Sequence, residues 1–213
     1  FPDWIELHNP NTAAYPLAGM SLTDDLGTPA KFVFPAEAQV APHGFLRILC
    51  LPSDGIDESA QPLAAGTLVA PFGLSLNGET LYLLDTSEHG NAVVDQIAFG
   101  PIPADLTLAR IPDGADSWQL ASPTPLATNE PVSLGDATGV RINEWMANPD
   151  SDEDWFELYN PDSKPVDLSG FHLTDELPNT TKHPLPSRVY VGAHGHLVFH
   201  ADNSPQLGAD HVS

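Results

Sequence analysis

Residues 3–10 read Asp-Trp-Ile-Glu-Leu-His-Asn-Pro, and residues 154–161 read Asp-Trp-Phe-Glu-Leu-Tyr-Asn-Pro. The register between them, 151 residues, holds without a gap. Leu17, Gly19, Leu22, Thr23 and Asp24 return as Leu168, Gly170, Leu173, Thr174 and Asp175; Lys31, Pro35, Val40 and His43-Gly44 return as Lys182, Pro186, Val191 and His194-Gly195. An ungapped match of this length is an internal repeat, and it constrains the architecture before any local detail does. Whatever residues 1–52 fold into, residues 152–203 must fold into as well.

The type of fold follows from punctuation. The chain has 22 prolines and 16 glycines in 213 residues, and short apolar stretches lie between them. No segment shows a helical period, so the pattern predicts many short strands in a sandwich or barrel. Strands are expected at Trp4–Asn9, Leu17–Leu22, Lys31–Phe34 and Gly44–Leu51 (the most apolar run and a central strand), while Leu108–Gly114 and Trp118–Leu120 close the first unit. Residues 52–66 read as a loop. Asn77-Gly78, flanked by Leu74-Ser75-Leu76 and Leu81–Leu84, predicts a type I′ hairpin turn. A second hairpin is expected to join Tyr82–Asp85 to Val93–Phe99 through Glu88-His89-Gly90-Asn91. Val140–Met146 reads as a strand with a bulge or bend.

These elements divide the chain into a first unit at residues 1–125, a linker at 126–139 and a second unit at 140–213. The first unit lacks a counterpart of Val140–Met146, and the second lacks counterparts of Leu74–Leu120. The fold expected is therefore all-β, a sandwich repeated in tandem with the second copy truncated. Self-association through the incomplete sandwich is an expected consequence. Because the chain opens in mid-motif at Phe1, it reads as a fragment of a longer protein.

Charge narrows the partners. Net charge is −22, from 29 acidic and 7 basic residues, and the excess runs through both halves. Such a surface repels phosphate backbones and anionic lipid, which excludes nucleic acid as the expected partner. No apolar run approaches the ~20 residues of a membrane span, so no membrane insertion is expected. Cys50, the one cysteine, sits among Ile48, Leu49 and Leu51 and reads as a small buried hydrophobe rather than a nucleophile.

Candidate chemistry is sparse. Asp150, Asp152 and Asp154 place carboxylates at alternate positions of a loop, and Asp175, like Asp24-Asp25 in the first copy, adds another from a neighbouring turn. Calcium takes such oxygen ligands and is the one candidate cofactor, although the spacing is not that of an EF-hand. His194, His196 and His200 share one strand face, opposite Leu197 and Phe199. Such a row offers nitrogens to zinc or copper only if another residue, such as Asp202 or His183, closes the site. Trp4 and Trp155 read as core aromatics of the sandwich. Nucleophile-elbow, zincin, phosphate-loop and dinucleotide motifs are all absent, and no enzyme is expected.

Ile142-Asn143-Glu144-Trp145-Met146-Ala147, an acidic spacer, Asp154–Asn160 and Leu168-Ser169-Gly170 together resemble the lamin tail domain as it occurs in bacterial extracellular proteins. The first unit resembles later parts of that family: Gly73-Leu74-Ser75-Leu76 with Asn77-Gly78, Val93-Val94-Asp95, and Ala109–Gly114 with Trp118, Pro123–Pro125 and Asn129. The resemblance implies an immunoglobulin-like β-sandwich and no catalytic residues. It also implies an extracellular or cell-surface module for adhesion, scaffolding or targeting, with a protein or a cell-surface polymer as partner. Two alternatives travel with it: an accessory module of an extracellular hydrolase, nuclease or kinase-like enzyme, and a calcium-dependent ligand-binding domain. The acidic surface sets aside the DNA contacts of eukaryotic lamin tails.

Overall fold

The computed structural model describes residues 2–52, 67–147, 153–205 and 207–212. The chain is all-β; its helical content among these residues is two 3-10 turns, Ser87–His89 and Ala137–Gly139. The first part carries β1 (Asp3–His8), β2 (Tyr15–Pro16), β3 (Ser21–Thr23), β4 (Phe32–Val33), β5 (Gln39–Val40), β6 (Phe45–Cys50), β7 (Leu68–Ala70), β8 (Glu79–Leu84), β9 (Val93–Phe99), β10 (Thr107–Arg110), β11 (Trp118–Ser122) and β12 (Glu130–Pro131). The second carries β13 (Arg141–Met146), β14 (Trp155–Tyr159), β15 (Val166–Asp167), β16 (His172–Leu173), β17 (His183–Pro184), β18 (Tyr190–Val191) and β19 (His196–His200).

In the first part, sheet β1-β6-β7 faces sheet β4-β3-β8-β9. Ile5, Ile48, Cys50 and Ala70 from one sheet meet Leu22 from the other, with Leu17, Met20 and Phe34 between them and Leu81 and Leu83 of β8 packed alongside. A second core gathers Leu158, Val166, Leu168, Leu185, Val189, Val191, Phe199 and Val212. Two sheets burying their inner faces around one core make an immunoglobulin-like sandwich.

The repeat holds at the level of hydrogen bonds. β1 pairs β6 as β14 pairs β19, β2 pairs β5 as β15 pairs β18, and β3 pairs β4 as β16 pairs β17. Asn9, buried, donates Nδ2 to the carbonyls of Ala13, Val40 and Ala41, while its Oδ1 accepts from Asn11 N. Asn160, also buried, donates to Lys164, Val191 and Gly192 and accepts from Asp162 N, each partner 151 residues on. Thr23 Oγ1 donates into the following turn, toward Asp25 O and Thr28 O, and Thr174 Oγ1 does the same with Glu176 O and Asn179 O.

Several local expectations change. Leu17–Leu22 is not one strand: β2 ends before it at Pro16 and β3 starts only at Ser21, because Gly19 turns the chain with φ +76°. Asn77-Gly78 is not a type I′ hairpin. Gly78 N donates to Ser75 O, so Leu76 and Asn77 occupy the turn's centre, and Leu74–Leu76 is not a strand. Glu79 Oε1 accepts from Ser75 N and closes the turn locally. Glycine is required at 78 for another reason: a Cβ there would lie 2.2 Å from Phe99 O. The expected hairpin from β8 to β9 is present, turning through the 3-10 segment, Gly90 at φ 74° and Asn91 at φ 53°. Glu130–Pro131, in the stretch read as linker, pairs with β11 as β12. Residues 53–66 lie outside the described residues.

The two parts touch along the continuation of β9. Gly100 N donates to Arg188 O, Tyr190 N to Pro101 O, and Arg188 Nη1 to Ala98 O. A Cβ on Gly100 would meet Val189 Cγ2 at 2.7 Å, so the close approach depends on glycine.

The buried asparagines generate the first prediction. Asn160→Ala leaves two or three carbonyls unpaired and is expected to cost about 1–3 kcal/mol. Hydrogen exchange, read residue by residue, should accelerate chiefly at residues 153–205, whereas Asn9→Ala should accelerate it chiefly at residues 2–50. Exchange rates unchanged in both variants would contradict the role assigned to the clasp.

Candidate functional site

The site is built on the sheet β13-β14-β19. Its register, Trp145 opposite Phe156 and Ile142 opposite Leu158, sets Trp145 and Ile142 on the core side of the sheet,. They are three residues apart and share a face because the register shifts between Ile142 and Glu144,. Asn143, the extra residue, donates Nδ2 to Glu157 Oε1 at 2.7 Å. Yet Trp145 is 72% exposed and Ile142 68% exposed. The core side of β13 is uncovered among the described residues.

A cavity of about 180 Å³ opens beside it, lined by Ala137, Val140, Leu158, Leu168, Phe171, Leu173 and Leu185 among others. Its floor is the second core, and Phe171 and His172 at its rim are exposed. On β17, opposite Leu173, His183 is buried, and burial pushes its imidazole below the ordinary 6.5.

Of the four expected calcium ligands, the structure describes two, Asp154 and Asp175. Asp150 and Asp152 lie outside the described residues. Asp154 precedes β14, and its carbonyl accepts from Ala201 N at 2.7 Å. Asp175 Oδ1 instead accepts from Lys182 Nζ at 2.7 Å, and that hydrogen bond holds its carboxyl below the usual range. Asp24 pairs with Lys31 in the same way in the first copy.

A different group does converge. Ligand atoms of Glu153, Asp202 and His211 all lie within 4.8 Å of one another. His211 Nδ1 meets Asp202 Oδ2 at 2.6 Å, and the His211 ring stacks on His200 at 5.1 Å. Burial opposes the Asp202 carboxylate, but hydrogen bonds from His211 and Ser204 N outweigh it and keep its pKa low. Reasoning from sequence named Asp202 as a closing ligand but missed Glu153 and His211. No short spacing links them; a parallel bridge between His200 and His211 brings the C-terminal segment back to β19.

The histidine row is real only in part. His196 and His200 flank exposed Val198 on the outer face, with Leu197 and Phe199 opposite, but His194 sits in a left-handed turn at φ 50°. His196 stacks on Tyr159 at 4.7 Å rather than facing a metal partner. Trp4 and Trp155 are not core residues. Ile5 and Leu7, or Phe156 and Leu158, take the inner side of their strands, and both tryptophans lie half-buried on the other. Cys50 is buried and free; burial, then the Asp3, Glu79 and Asp24 carboxylates, push its thiol up to about 12. No helix among the described residues is long and apolar enough to cross a membrane.

Sheets, strand order and paired cores define an all-β domain of immunoglobulin type. Within that class, residues 135–212 match the family described as the Lamin Tail Domain, an immunoglobulin-like domain that is usually non-catalytic. The match covers the second copy of the repeat. No curated protein and no solved structure matches the chain.

Two outcomes follow. Because His183 is neutral in the fold while an unfolded chain protonates it near 6.5, stability is fully present above that pH. It is lost as pH falls from 6.5 toward the lower folded value. Melting temperature should therefore decline below pH 6.5, and His183→Leu should flatten that decline; equal slopes in both proteins would contradict it. Calcium binding at Asp175 must displace Lys182, so Lys182→Met should enlarge the rise in melting temperature that millimolar Ca²⁺ gives over chelator. A melt indifferent to calcium in both proteins retires Asp175 as a ligand.

Proposed function

We propose that the chain is a non-catalytic interaction module of a secreted or surface-attached bacterial protein, serving adhesion, scaffolding or targeting, and that both copies of the repeat are lamin-tail-like. The observation that carries this reading is the uncovered apolar face of β13. An exposed tryptophan and isoleucine beside an apolar cavity mark a surface for contact rather than a solvated one. The family match and the absence of enzyme motifs support the same reading. The partner class is a protein or a cell-surface polymer. A net charge of −22 disfavours nucleic acid and anionic membrane.

The Glu153, Asp202 and His211 group favours a second reading, in which a divalent cation helps bind a ligand. There, the carboxylates next to β14 hold the ion and the ion holds the partner.

The test is retention of the full chain on immobilised bacterial cell-wall polymers and secreted proteins, with and without chelator. The double substitution Ile142→Ser and Trp145→Ser should lower retention at least tenfold while leaving the melting temperature within a degree or two, because both side chains are exposed. Retention unchanged by the double substitution, or turnover of a polymer on the panel, would overturn the reading. Retention abolished by chelator alone would select the cation-dependent form.

A further inference from the structure

The repeat supplies a control for the Glu153, Asp202 and His211 group. His200 bridges His211 in parallel, as Leu49, its counterpart in the first copy, pairs in parallel with Val69 of β7. His211 therefore stands where Val69 stands. By the 151-residue offset, Pro2 takes the place of Glu153 and Leu51 that of Asp202. The first copy closes this corner with apolar residues; the second brings two carboxylates and an imidazole to it. Asp154 O accepts from Ala201 N, which sets Glu153 beside Asp202. The Asp202 side chain is 3% exposed, so water screens its charge little, and a second carboxylate beside it meets repulsion,. The His211 imidazole, even when protonated, balances one of the two. A further acceptor lies close by. Asp210 is 4% exposed, and its Oδ1 has no hydrogen-bond partner among the described residues. A Cβ on Gly208 would stand 2.6 Å from that oxygen and 3.6 Å from His211 Cδ2, so the oxygen and the His211 ring face one space over Gly208.

From this geometry we infer that Glu153, Asp202 and His211 form a binding site for a zinc-class divalent ion, which staples the segment after β19 to the start of β14. The inference rests on the cation-dependent reading above for the ion's link to a partner, and it names the ion. An imidazole with two carboxylates is a nitrogen-and-oxygen set suited to zinc, whereas calcium takes about six to eight oxygens and gains little from imidazole. Ligand atoms of a tetrahedral zinc stand about 3.3 Å apart. His211 Nδ1 and Asp202 Oδ2, at 2.6 Å, open by less than an ångström when the ion replaces the proton between them. Glu153, exposed, swings in from within 4.8 Å. Three protein ligands leave a fourth position for water, or for a carboxylate or imidazole of the partner. Water drawn in with the ion supplies the donor that Asp210 Oδ1 lacks.

The experiment adds zinc or calcium to the ¹⁵N-labelled full chain, stripped of metal beforehand, and reads calorimetry and amide exchange. Zinc should bind about a hundredfold tighter than calcium. It should slow exchange at His200, Asn203 and Val212, the amides that hold the returning segment to β19 and to its own turn, and leave β7 of the first copy unchanged. Glu153→Gln, at an exposed position, should weaken zinc about tenfold without moving the metal-free melting temperature. His211→Phe, which keeps a ring against His200, should abolish the slowing. Zinc binding that leaves those three amides unchanged, indifference to both substitutions, or calcium binding as tightly as zinc would overturn the inference. If chelator abolishes retention on surface partners and calcium rather than zinc restores it, the cation-dependent reading stands and the zinc site falls. If zinc slows the three amides while retention ignores chelator, the site stands and the ion's link to a partner falls.

Discussion

Each copy of the repeat hangs on one buried side-chain amide. Asn9 and Asn160 follow directly on β1 and β14, and a proline follows each. The proline stops the ladder by removing a donor. The chain must then leave the sheet without stranding carbonyls in the core. One asparagine can satisfy carbonyls on both the departing loop and the strand returning 31 or 32 residues later, and still accept from the backbone two residues on. An aspartate would bring an uncompensated charge to the same place, and an apolar residue would leave the acceptors bare. The spacing of everything between Asn and the His-Gly turn is constrained by that clasp, because the turn's glycine carbonyl accepts from the asparagine's own backbone N–H. The ungapped 151-residue register is the trace of that constraint.

The same reasoning explains what could and could not be read from sequence. Asn, Pro, Gly and Thr at turn positions act locally, so the repeat and an irregular strand over residues 140–146 were legible, though not the position of its bulge at Asn143. The β8–β9 hairpin was legible for the same reason. The outward placement of Trp4 and Trp155 was not. Alternation along a strand says which residues share a face, but not which face is inward when both carry large side chains. Nor was the Asn77-Gly78 turn, whose geometry is decided by Phe99, some twenty residues away, approaching Gly78 from across the sheet. At the candidate site, β13 was in reach of sequence, but the exposure of Trp145 and the Glu153, Asp202 and His211 group were not. Its members converge only because the C-terminal segment folds back along β19. Nor was the partner of Asp175: an acidic pair shows ligand type but not the lysine, seven residues on, that donates to its carboxylate.

The joint between the two parts bears on how the open face is presented. Gly100 and Pro101 continue β9 into backbone hydrogen bonds with Arg188 and Tyr190. Val189, between those two, is fully buried in the second core, and Tyr190 begins β18. The first sandwich therefore braces the outer edge of the second core. A core built from a few short strands buries little surface to offset its chain entropy, and the contact with the first sandwich steadies it.

That arrangement poses a hazard, since a free strand edge above an apolar cavity is also a template for aggregation. Short length is one answer: β16 is two residues long, and a two-residue ladder stabilises little without the side chains that fill the cavity. Charge is the other. Around the edge, Asp175 and Glu176 share Lys182, and the chain as a whole is strongly acidic. Like copies are kept apart at long range, where the field acts.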